Sequence, residues 1–359
     1  MTLTQVATLT RHTVLITILA LFLTITGFVG YRVWYAYYQS SLPPVEEKPD
    51  TKFGVLPYPD FPQTSVSSSN FSYLLDTTTG GLPKLGEAGF EKLIKVYFII
   101  KPYATLLSPD KVMTLAEKFG LLSPPQILSE TSYQFADEDK NLRVDLDSGN
   151  FTYIKEYVKE ATLSGELSID DDNRVIDDDN KLVSDFKKIL DNLGILKEEL
   201  KSGRTKVVPL KSDGAVFIPT DLRTEAEALQ ISLWPTSIDK KSIFTPDFNE
   251  SLVTAVVQKS ADNLQNYLSL DFTFWQIDQS IFATYPLKST EEAFENLKSG
   301  KGIVILEPGK PQVSITSIYL GYYLSKNYTP YLQPIYVFEG PKFAAYVAAI
   351  RDQFQNPAK

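Results

Sequence analysis

The sequence has 359 residues, of which 43% are hydrophobic and 22% charged, a composition typical of a globular protein of roughly two domains. It contains no cysteine, which excludes disulfides, thiolate metal sites and cysteine nucleophiles. The one histidine, His12, lies near the N-terminus and leaves the rest of the chain without a histidine base or metal ligand. The formal charge is −9, and residues 39–359 alone carry −11, so we expect no nucleic-acid partner.

An uncharged apolar run over residues 13–31 predicts a transmembrane helix. A helix of that length reaches about 28 Å, which is close to the thickness of the hydrocarbon core of a bilayer. Trp34 and several tyrosines in residues 31–38 follow it, where interfacial aromatic side chains belong. A cleaved signal peptide is the alternative. The run is long for a signal peptide and no small-residue cleavage motif follows it, which favours an uncleaved anchor.

The segments on either side of this run predict its orientation. Residues 1–12 form a short head, whereas a domain of about 290 residues follows, and long domains are exported largely regardless of their charge. We therefore expect the head in the cytoplasm and the bulk of the chain outside the cytoplasmic membrane. Residues 32–70 join the interfacial aromatics to a proline- and serine-rich stretch that predicts a tether. Secreted eukaryotic domains usually carry disulfides, so the absence of cysteine favours a bacterial surface protein.

Residues 71–165 predict a first α+β subdomain. The stretch SPDKVMTLAEKFG, residues 108–120, has the pattern of a helix capped by Ser108 and ended by Gly120. Alternating apolar and polar residues over 131–157 then predict antiparallel strands joined by tight turns.

The acidic run over residues 166–180 predicts a solvated connector. A calcium-binding loop is the alternative, because an EF-hand places acidic or amide side chains at its first, third and fifth positions and glycine at its sixth. In a loop that begins at Asp170, Arg174 and Val175 occupy the fifth and sixth positions, so the pattern fails. We therefore expect no metal site here and no cofactor elsewhere.

Residues 181–352 predict a second α+β subdomain that ends in a tyrosine-rich meander. It includes helix signals over 180–194 and 285–302, the latter with a capping box formed by Ser289 and Glu292. Residues 249–268 begin like a helix capped by an asparagine, but their β-branched residues also fit a strand. Three strands close the subdomain, over residues 314–324, 331–340 and 342–350. A helix followed by antiparallel strands thus occurs twice, which predicts an α+β fold with weak internal duplication.

Tyrosine alternates with other residues in the first of these strands. Ile318, Leu320, Tyr322 and Leu324 share the face that we expect to enter the core. The opposite face carries Tyr319, Tyr323 and a glycine between them. The simpler interpretation is a partly hydrated face, on which the tyrosines pack against their cross-strand neighbours and keep their hydroxyls in water. The functional interpretation is a surface for a partner or ligand, because tyrosine offers rigid amphipathic contact area. Its candidate residues are Tyr319, Tyr323, Gln333 and Tyr346.

The segments YPLKSTEEAFENLKSGKG, SIYLGYY and YLQPIYVFEGPKFAAYVAAI, within residues 285–350, follow a membrane anchor and a proline-rich stretch. In this arrangement the chain resembles the YycH/YycI family of membrane-anchored regulators, in which a similar helix leads into strands that end in a QPVYVF-like segment. The helix VMTLAEKFGLL and the strand LRVDLDSGNFTY look like an earlier unit of the same type. The resemblance implies an extracytoplasmic α+β regulator that contacts a sensor kinase in the same membrane, with no catalytic residues. The acidic run departs from the family pattern.

Three classes of function fit these features. A membrane-anchored, extracytoplasmic regulatory or interaction protein explains the anchor and the tether, and its expected partner is a membrane protein such as a sensor kinase. A binding module for a glycan, peptide or small ligand is the alternative. An enzyme is the third class, because SPDK at 108–111, SDG at 212–214 and KSG at 298–300 imitate the motifs of penicillin-binding enzymes. Ser108 would then be the nucleophile and Lys111 its base. However, S-x-x-K also occurs at Ser184 and Ser237, and a helix cap explains Ser108 more simply.

Overall fold

The computed structural model describes residues 3–41, 48–156, 178–214, 216–258 and 260–357. The chain divides into two compact units, Met1–Lys48 and Pro49–Lys359. The first unit contains helix α1, Leu3–Ser41. Within this helix, Ile16–Tyr35 is long and apolar enough to cross a membrane and is fully solvent-exposed, as a membrane anchor or a signal sequence would be. The helix is longer than the predicted span at both ends, so residues 3–12 of the predicted head and the interfacial residues 32–38 are helical too.

The second unit is a mixed α+β structure dominated by β-strands. Its helices in the described residues are α2 Ser108–Lys118, α3 Asp179–Leu193, α4 Glu198–Lys201 and α5 Thr290–Lys298. Its strands there are β1 Ser72–Leu75, β2 Leu93–Ile99, β3 Gln126–Ser129, β4 Ser132–Ala136, β5 Lys140–Asp145, β6 Phe151–Lys155, β7 Thr205–Asp213, β8 Val216–Pro219, β9 Ala228–Leu233, β10 Ile243–Phe244, β11 Val253–Val257, β12 Tyr267–Phe272, β13 Ile277–Pro286, β14 Ile303–Leu306, β15 Gln312–Ile315, β16 Ser317–Tyr323, β17 Tyr331–Gly340 and β18 Phe343–Ala348.

A nine-stranded antiparallel sheet has the strand order β3-β4-β5-β6-β12-β11-β9-β7-β8. One of its faces packs against α2 and α3, and the apolar residues of these helices share a single buried core with the inward residues of the strands. Phe119 at the end of α2, for example, stacks on Tyr153 of β6 at 4.4 Å between ring centroids. This core is where most of the apolar surface of this part of the chain is removed from water.

A seven-stranded sheet is built around the order β10-β16-β17-β18-β14, with β2 pairing to both β17 and β13. Helix α5 covers one face through Ala293 and Leu297, which are fully buried against the sheet. Strands β1 and β15 form a separate two-stranded parallel ribbon. The strand predicted over 314–324 is therefore two strands, because the chain leaves β15 at Thr316 and β16 pairs with β17 instead.

The two sheets are not consecutive along the chain, which corrects the predicted boundaries of 71–165 and 181–352. The nine-stranded sheet combines strands from both predicted subdomains, since β12 pairs with β6. Along the chain, all strands of the nine-stranded sheet fall between β2 and β13, and these two strands pair with each other in the seven-stranded sheet. The helix-plus-strands duplication is not confirmed, because β14, the first strand after α5, pairs with β18 and not with the next strand.

The tether predicted over 32–70 is wrong for its second half. Leu56 is completely buried in the core that also holds α5, and it pairs with Gln355 near the end of the chain. Asn356 donates its backbone N–H to the carbonyl of Leu56 at 2.8 Å. Proline-rich segments form few internal hydrogen bonds, and here the backbone groups of Leu56 bond to Phe354 and Asn356, which follow the last strand. The sequence composition alone therefore does not distinguish a packed extended segment from a linker.

The predicted helices are confirmed, with one change, at the start of α2. Helix α5 has the predicted capping box between Ser289 and Glu292. Helix α3 ends at Gly194, whose left-handed φ of 78° a side chain would strain. Helix α2 begins without the predicted cap, because Ser108 is already helical and its hydroxyl accepts from the N–H of Thr105 at 2.9 Å. Of the two structures predicted for residues 249–268, the strand is correct. The acidic connector predicted at 166–180 lies outside the described residues up to position 177.

Candidate functional site

The predicted tyrosine surface is an interior cluster. Tyr319, Tyr323 and Tyr346 lie together on the face of the seven-stranded sheet opposite α5, packed around Phe244 of β10. Tyr346 is completely buried and Tyr323 is 3% exposed, whereas Tyr319 is half-buried. The ring centroids of Tyr323 and Tyr346 are 6.1 Å apart, and Phe244 lies 5.8 Å from Tyr346. The prediction that this face is partly hydrated is therefore wrong for Tyr323 and Tyr346, whereas Tyr319 is half-buried.

The segment that follows α1 along the chain provides the cover. Phe61 packs edge-on against Tyr323 at 4.8 Å, and the hydroxyl of Tyr323 donates to the carbonyl of Asp60 at 2.9 Å. Gln333, the fourth candidate, is 3% exposed and donates to the carbonyl of Pro57 at 2.9 Å. Its amide oxygen in turn accepts from Gln355. These contacts give the side chains of Tyr323 and Gln333 structural partners.

Burial raises the pKa of Tyr319, Tyr323 and Tyr346 well above the ordinary value for tyrosine, because each phenolate would lose its hydration. Tyr319 also donates its hydroxyl to Glu339 at 2.6 Å, and the negative charge of that carboxylate further disfavours the phenolate. The hydroxyl of Tyr346 has no hydrogen-bond partner among the described residues. All three side chains are therefore neutral at physiological pH, and the cluster acts as packing.

A cavity lies elsewhere, in a cleft of about 700 Å³ beside helix α2. The cleft runs between α2, the end of α3, and the two chain segments, 100–102 and 272–276, that connect the nine-stranded sheet with β2 and β13. Its size is in the range of known ligand sites. None of the residues predicted from the tyrosine pattern lies in it. We call this cavity the α2 cleft.

The floor of the α2 cleft is apolar and firmly supported. It is formed by Val112, Leu115, Val144, Leu193, Ile195, Phe272, Phe274 and Trp275. The backbone N–H of Phe274 donates to the side chain of Asn150 at 2.9 Å, and the indole N–H of Trp275 donates to the carbonyl of Ser325 at 3.0 Å. These hydrogen bonds fix the aromatic wall in place, so the cleft is a preformed shape.

The rim of the α2 cleft is predominantly basic. Three lysines line it, Lys111, Lys118 and Lys197, together with one carboxylate, Asp110. Lys118 is engaged structurally, since its ammonium donates to the carbonyl of Asn192 at 2.8 Å and links α2 to the end of α3. The ammonium of Lys197 lies 5.8 Å from the ring centroid of Phe274. The arrangement is able to bind apolar groups on the floor and anionic groups at the rim.

Exposed apolar side chains continue from the mouth of the cleft. Leu107 lines the cleft and is 61% exposed, and its neighbour Leu106 is fully exposed. Tyr103, in the same loop between β2 and α2, is also largely exposed. Consecutive exposed leucines are not needed for the packing of α2, so the sequence TLLSPDK contains a signal for this surface. The rest of the cleft has no such signal, because its residues come from five separate stretches of the chain.

The motifs that resemble penicillin-binding enzymes lie on different elements. Lys111 lies at the cleft rim, one turn after Ser108. Ser212 is at the end of β7, where its hydroxyl donates to the carbonyl of Gly214. Lys298 is on α5 and forms an ion pair with Glu295. Among the described residues, no group of three or more histidines or acidic side chains is arranged to hold a metal ion. The acidic run around Asp170 lies outside them.

Comparison of the sequence with known protein families and with curated proteins finds no match. Solved structures with detectable similarity include an uncharacterized protein from Eubacterium rectale ATCC 33656, at 12% sequence identity and a TM-score of 0.30. The similarity covers 73% of this chain and 87% of that protein. A TM-score of this size does not establish a common fold.

Proposed function

We propose that the protein is a membrane-anchored, extracytoplasmic regulatory protein that binds a membrane protein through the α2 cleft. The observation that carries the proposal is the combination of the cleft with the exposed leucines beside it. An apolar floor, a charged rim and exposed Leu106 and Leu107 have the composition of a protein-interaction site. Exposed pairs of leucines cost solubility, which favours a use for them.

The remaining support for the proposal comes from the N-terminal helix and from the family resemblance. An uncleaved α1 would confine the protein to the membrane surface, where its partners are other membrane proteins. The resemblance of residues 285–350 to YycH/YycI regulators favours a sensor kinase as the partner. The same resemblance and the length of the exported part favour a cytoplasmic N-terminus.

Photocrosslinking of the full-length protein in native membranes tests the proposal. A photoreactive phenylalanine analogue replaces Leu107 in one variant and Val216 in a control. The two positions are matched, since they are 61% and 64% exposed and Val216 lies on the distant edge strand β8. We expect a discrete adduct with a membrane protein from position 107 and none from position 216. Equal labelling from both positions, or no adduct from position 107, would contradict the proposal.

A binding module for a small ligand is the second candidate, because a preformed cleft of about 700 Å³ is large enough for one. Native mass spectrometry of the purified full-length protein distinguishes the two. A co-purified small molecule that is lost from a cleft variant such as Leu115→Trp, together with no crosslink from position 107, would favour this candidate. A crosslink without a co-purified molecule would favour the regulatory protein.

A further inference from the structure

We infer that the α2 cleft binds an extended peptide segment of its partner that alternates apolar and acidic side chains. This inference rests on the proposed function, since it names the chemistry of the partner at the same site. It follows from the floor of the cleft, the charge of its rim, and the apolar surface that continues beyond its mouth.

The floor selects apolar side chains. Val112 and Leu115 of α2 line the cleft together with Phe274 and Trp275, so an occupant contacts both aliphatic and aromatic side chains. The hydrogen bonds from Phe274 to Asn150 and from Trp275 to Ser325 prevent the aromatic wall from collapsing into the space. A preformed apolar slot of this kind gains free energy by burying leucine- or phenylalanine-sized groups without first having to open.

The rim selects negative charge. Lys111 on α2 and Lys197 on the segment after α3 both line the cleft, and Lys118 adds a third positive charge. Asp110 is the one acidic residue in the lining, and Asp147 lies nearby, where it accepts from the N–H of Ala104. The rim is thus locally basic, although residues 39–359 carry a net charge of −11. Complementary charge at a rim steers association and favours the correct partner over others.

The surface beyond the mouth favours a polypeptide over a small molecule. Leu107 belongs to the cleft, while Leu106 and Tyr103 extend the apolar surface outside it. A ligand that fills only the cleft would leave these side chains in water. A peptide that continues past the mouth covers them, and its alternate residues meet the floor and the basic rim in turn.

A labelled peptide of defined sequence tests the inference. The probe is fluorescein-labelled Asp-Leu-Glu-Phe-Asp-Leu, and its neutral control is Asn-Leu-Gln-Phe-Asn-Leu. Fluorescence anisotropy measures their binding to the full-length protein in detergent micelles. We expect the acidic probe to bind at least about tenfold more tightly than the neutral one, because two lysines face it. Equal affinity of the two peptides would overturn the inference.

Charge reversal locates the binding. The double variant Lys111→Glu/Lys197→Glu should bind the acidic probe about tenfold or more less tightly than the wild type, and it should gain affinity for Lys-Leu-Lys-Phe-Lys-Leu. Lys118 is left unchanged because it links α2 to α3. The matched control is Lys310→Glu/Lys326→Glu, two exposed lysines outside the cleft, which should bind the acidic probe like the wild type. Loss of binding without the gain for the basic peptide would contradict a direct charge contact.

Dodecanoate serves as a competing small amphiphile with one apolar chain and one carboxylate. If it displaces the peptide at equal or lower concentration, the occupant is a lipid-like molecule and the inference is wrong. The outcome is separable from that of the proposed function. A crosslink from position 107 without peptide binding would overturn only the peptide chemistry, whereas peptide binding without a crosslink in membranes would overturn the membrane-protein partner.

Discussion

Two buried tyrosines in neighbouring strands should respond to the loss of their hydroxyls in opposite directions. Tyr336 and Tyr346 are both fully buried, on β17 and β18. The hydroxyl of Tyr336 donates to the carbonyl of Lys288 at 2.6 Å, whereas that of Tyr346 has no partner in the part of the chain that the structure describes. Changing either tyrosine to phenylalanine removes one phenolic oxygen from the seven-stranded sheet. The difference between the two variants therefore isolates the contribution of the hydrogen bond of Tyr336.

The magnitudes follow from the cost of burying a polar group. Tyr336→Phe loses a hydrogen bond worth about 1 kcal/mol and should lower the free energy of unfolding by that amount or slightly more. Tyr346→Phe removes a desolvated hydroxyl that is not compensated by a bond, which should gain about 1 kcal/mol, less about 0.3 kcal/mol for the small void. The two variants should therefore differ by roughly 2 kcal/mol, which is about 4 °C in melting temperature for a unit of this size.

Urea unfolding of a fragment of residues 49–359, followed by circular dichroism, measures both free energies. The dependence on urea concentration should be the same for the two variants, since the surface exposed on unfolding does not change. If Tyr346→Phe destabilises the fragment as much as Tyr336→Phe does, the hydroxyl of Tyr346 has a partner in solution. The reasoning from an unpaired buried donor would then be refuted.

Three further results are expected from the same measurement. Removing residues 49–70 should lower the free energy of unfolding by at least about 3 kcal/mol, because Leu56 leaves the core and Tyr323 and Gln333 lose their hydrogen-bond acceptors. If the fragment of residues 71–359 is equally stable, residues 49–70 are a tether as first predicted. Gly321→Ala should lower the free energy of unfolding by about 1–3 kcal/mol, since the added Cβ would approach Phe244 to 2.5 Å. The control Gly309→Ala, whose Cβ would have nothing within 4 Å, should change it by less than about 0.5 kcal/mol. Equal effects of the two substitutions would contradict the close packing of Gly321 against Phe244. The hydrogen bond from Lys288 lowers the pKa of the Asp352 carboxyl, so its stabilisation is present above pH about 4 and is lost as pH falls. Asp352→Asn should therefore cost about 0.5 kcal/mol at pH 7, discounted because Asp352 is largely exposed, and progressively less towards pH 2; a constant difference would exclude this linkage.

The sequence predicted the elements whose signals are local. The capping box of α5 involves residues three positions apart, and the end of α3 depends on one glycine, so each is visible in a short window. The alternation in β16 also correctly assigned Tyr322 to the core that contains α5. These features are set by neighbours along the chain and do not require knowledge of the tertiary structure.

The second face of β16 could not be predicted in the same way. The alternation of residues distinguishes the two faces of a strand, but it does not tell whether a face is covered. Tyr323 is buried because Phe61, more than 200 residues earlier, and Phe244 lie over it. The α2 cleft was missed for the same reason, since its walls come from separate segments that only the strand order brings together.

The strand order also determines which strands have their partners available while the chain is being synthesised. All nine strands of the larger sheet have been made once Phe272 has been added, so that sheet can form while the chain is still incomplete. Strand β2, with the sequence LIKVYFI, is made earlier, yet both of its partners, β13 and β17, are made later. Until then an apolar segment of high β-propensity has an unpaired edge, which is the condition under which chains associate wrongly. During synthesis, β2 is therefore without its partner strands from the addition of residue 99 until β13 begins at residue 277. We expect wrong association to be most frequent in this interval.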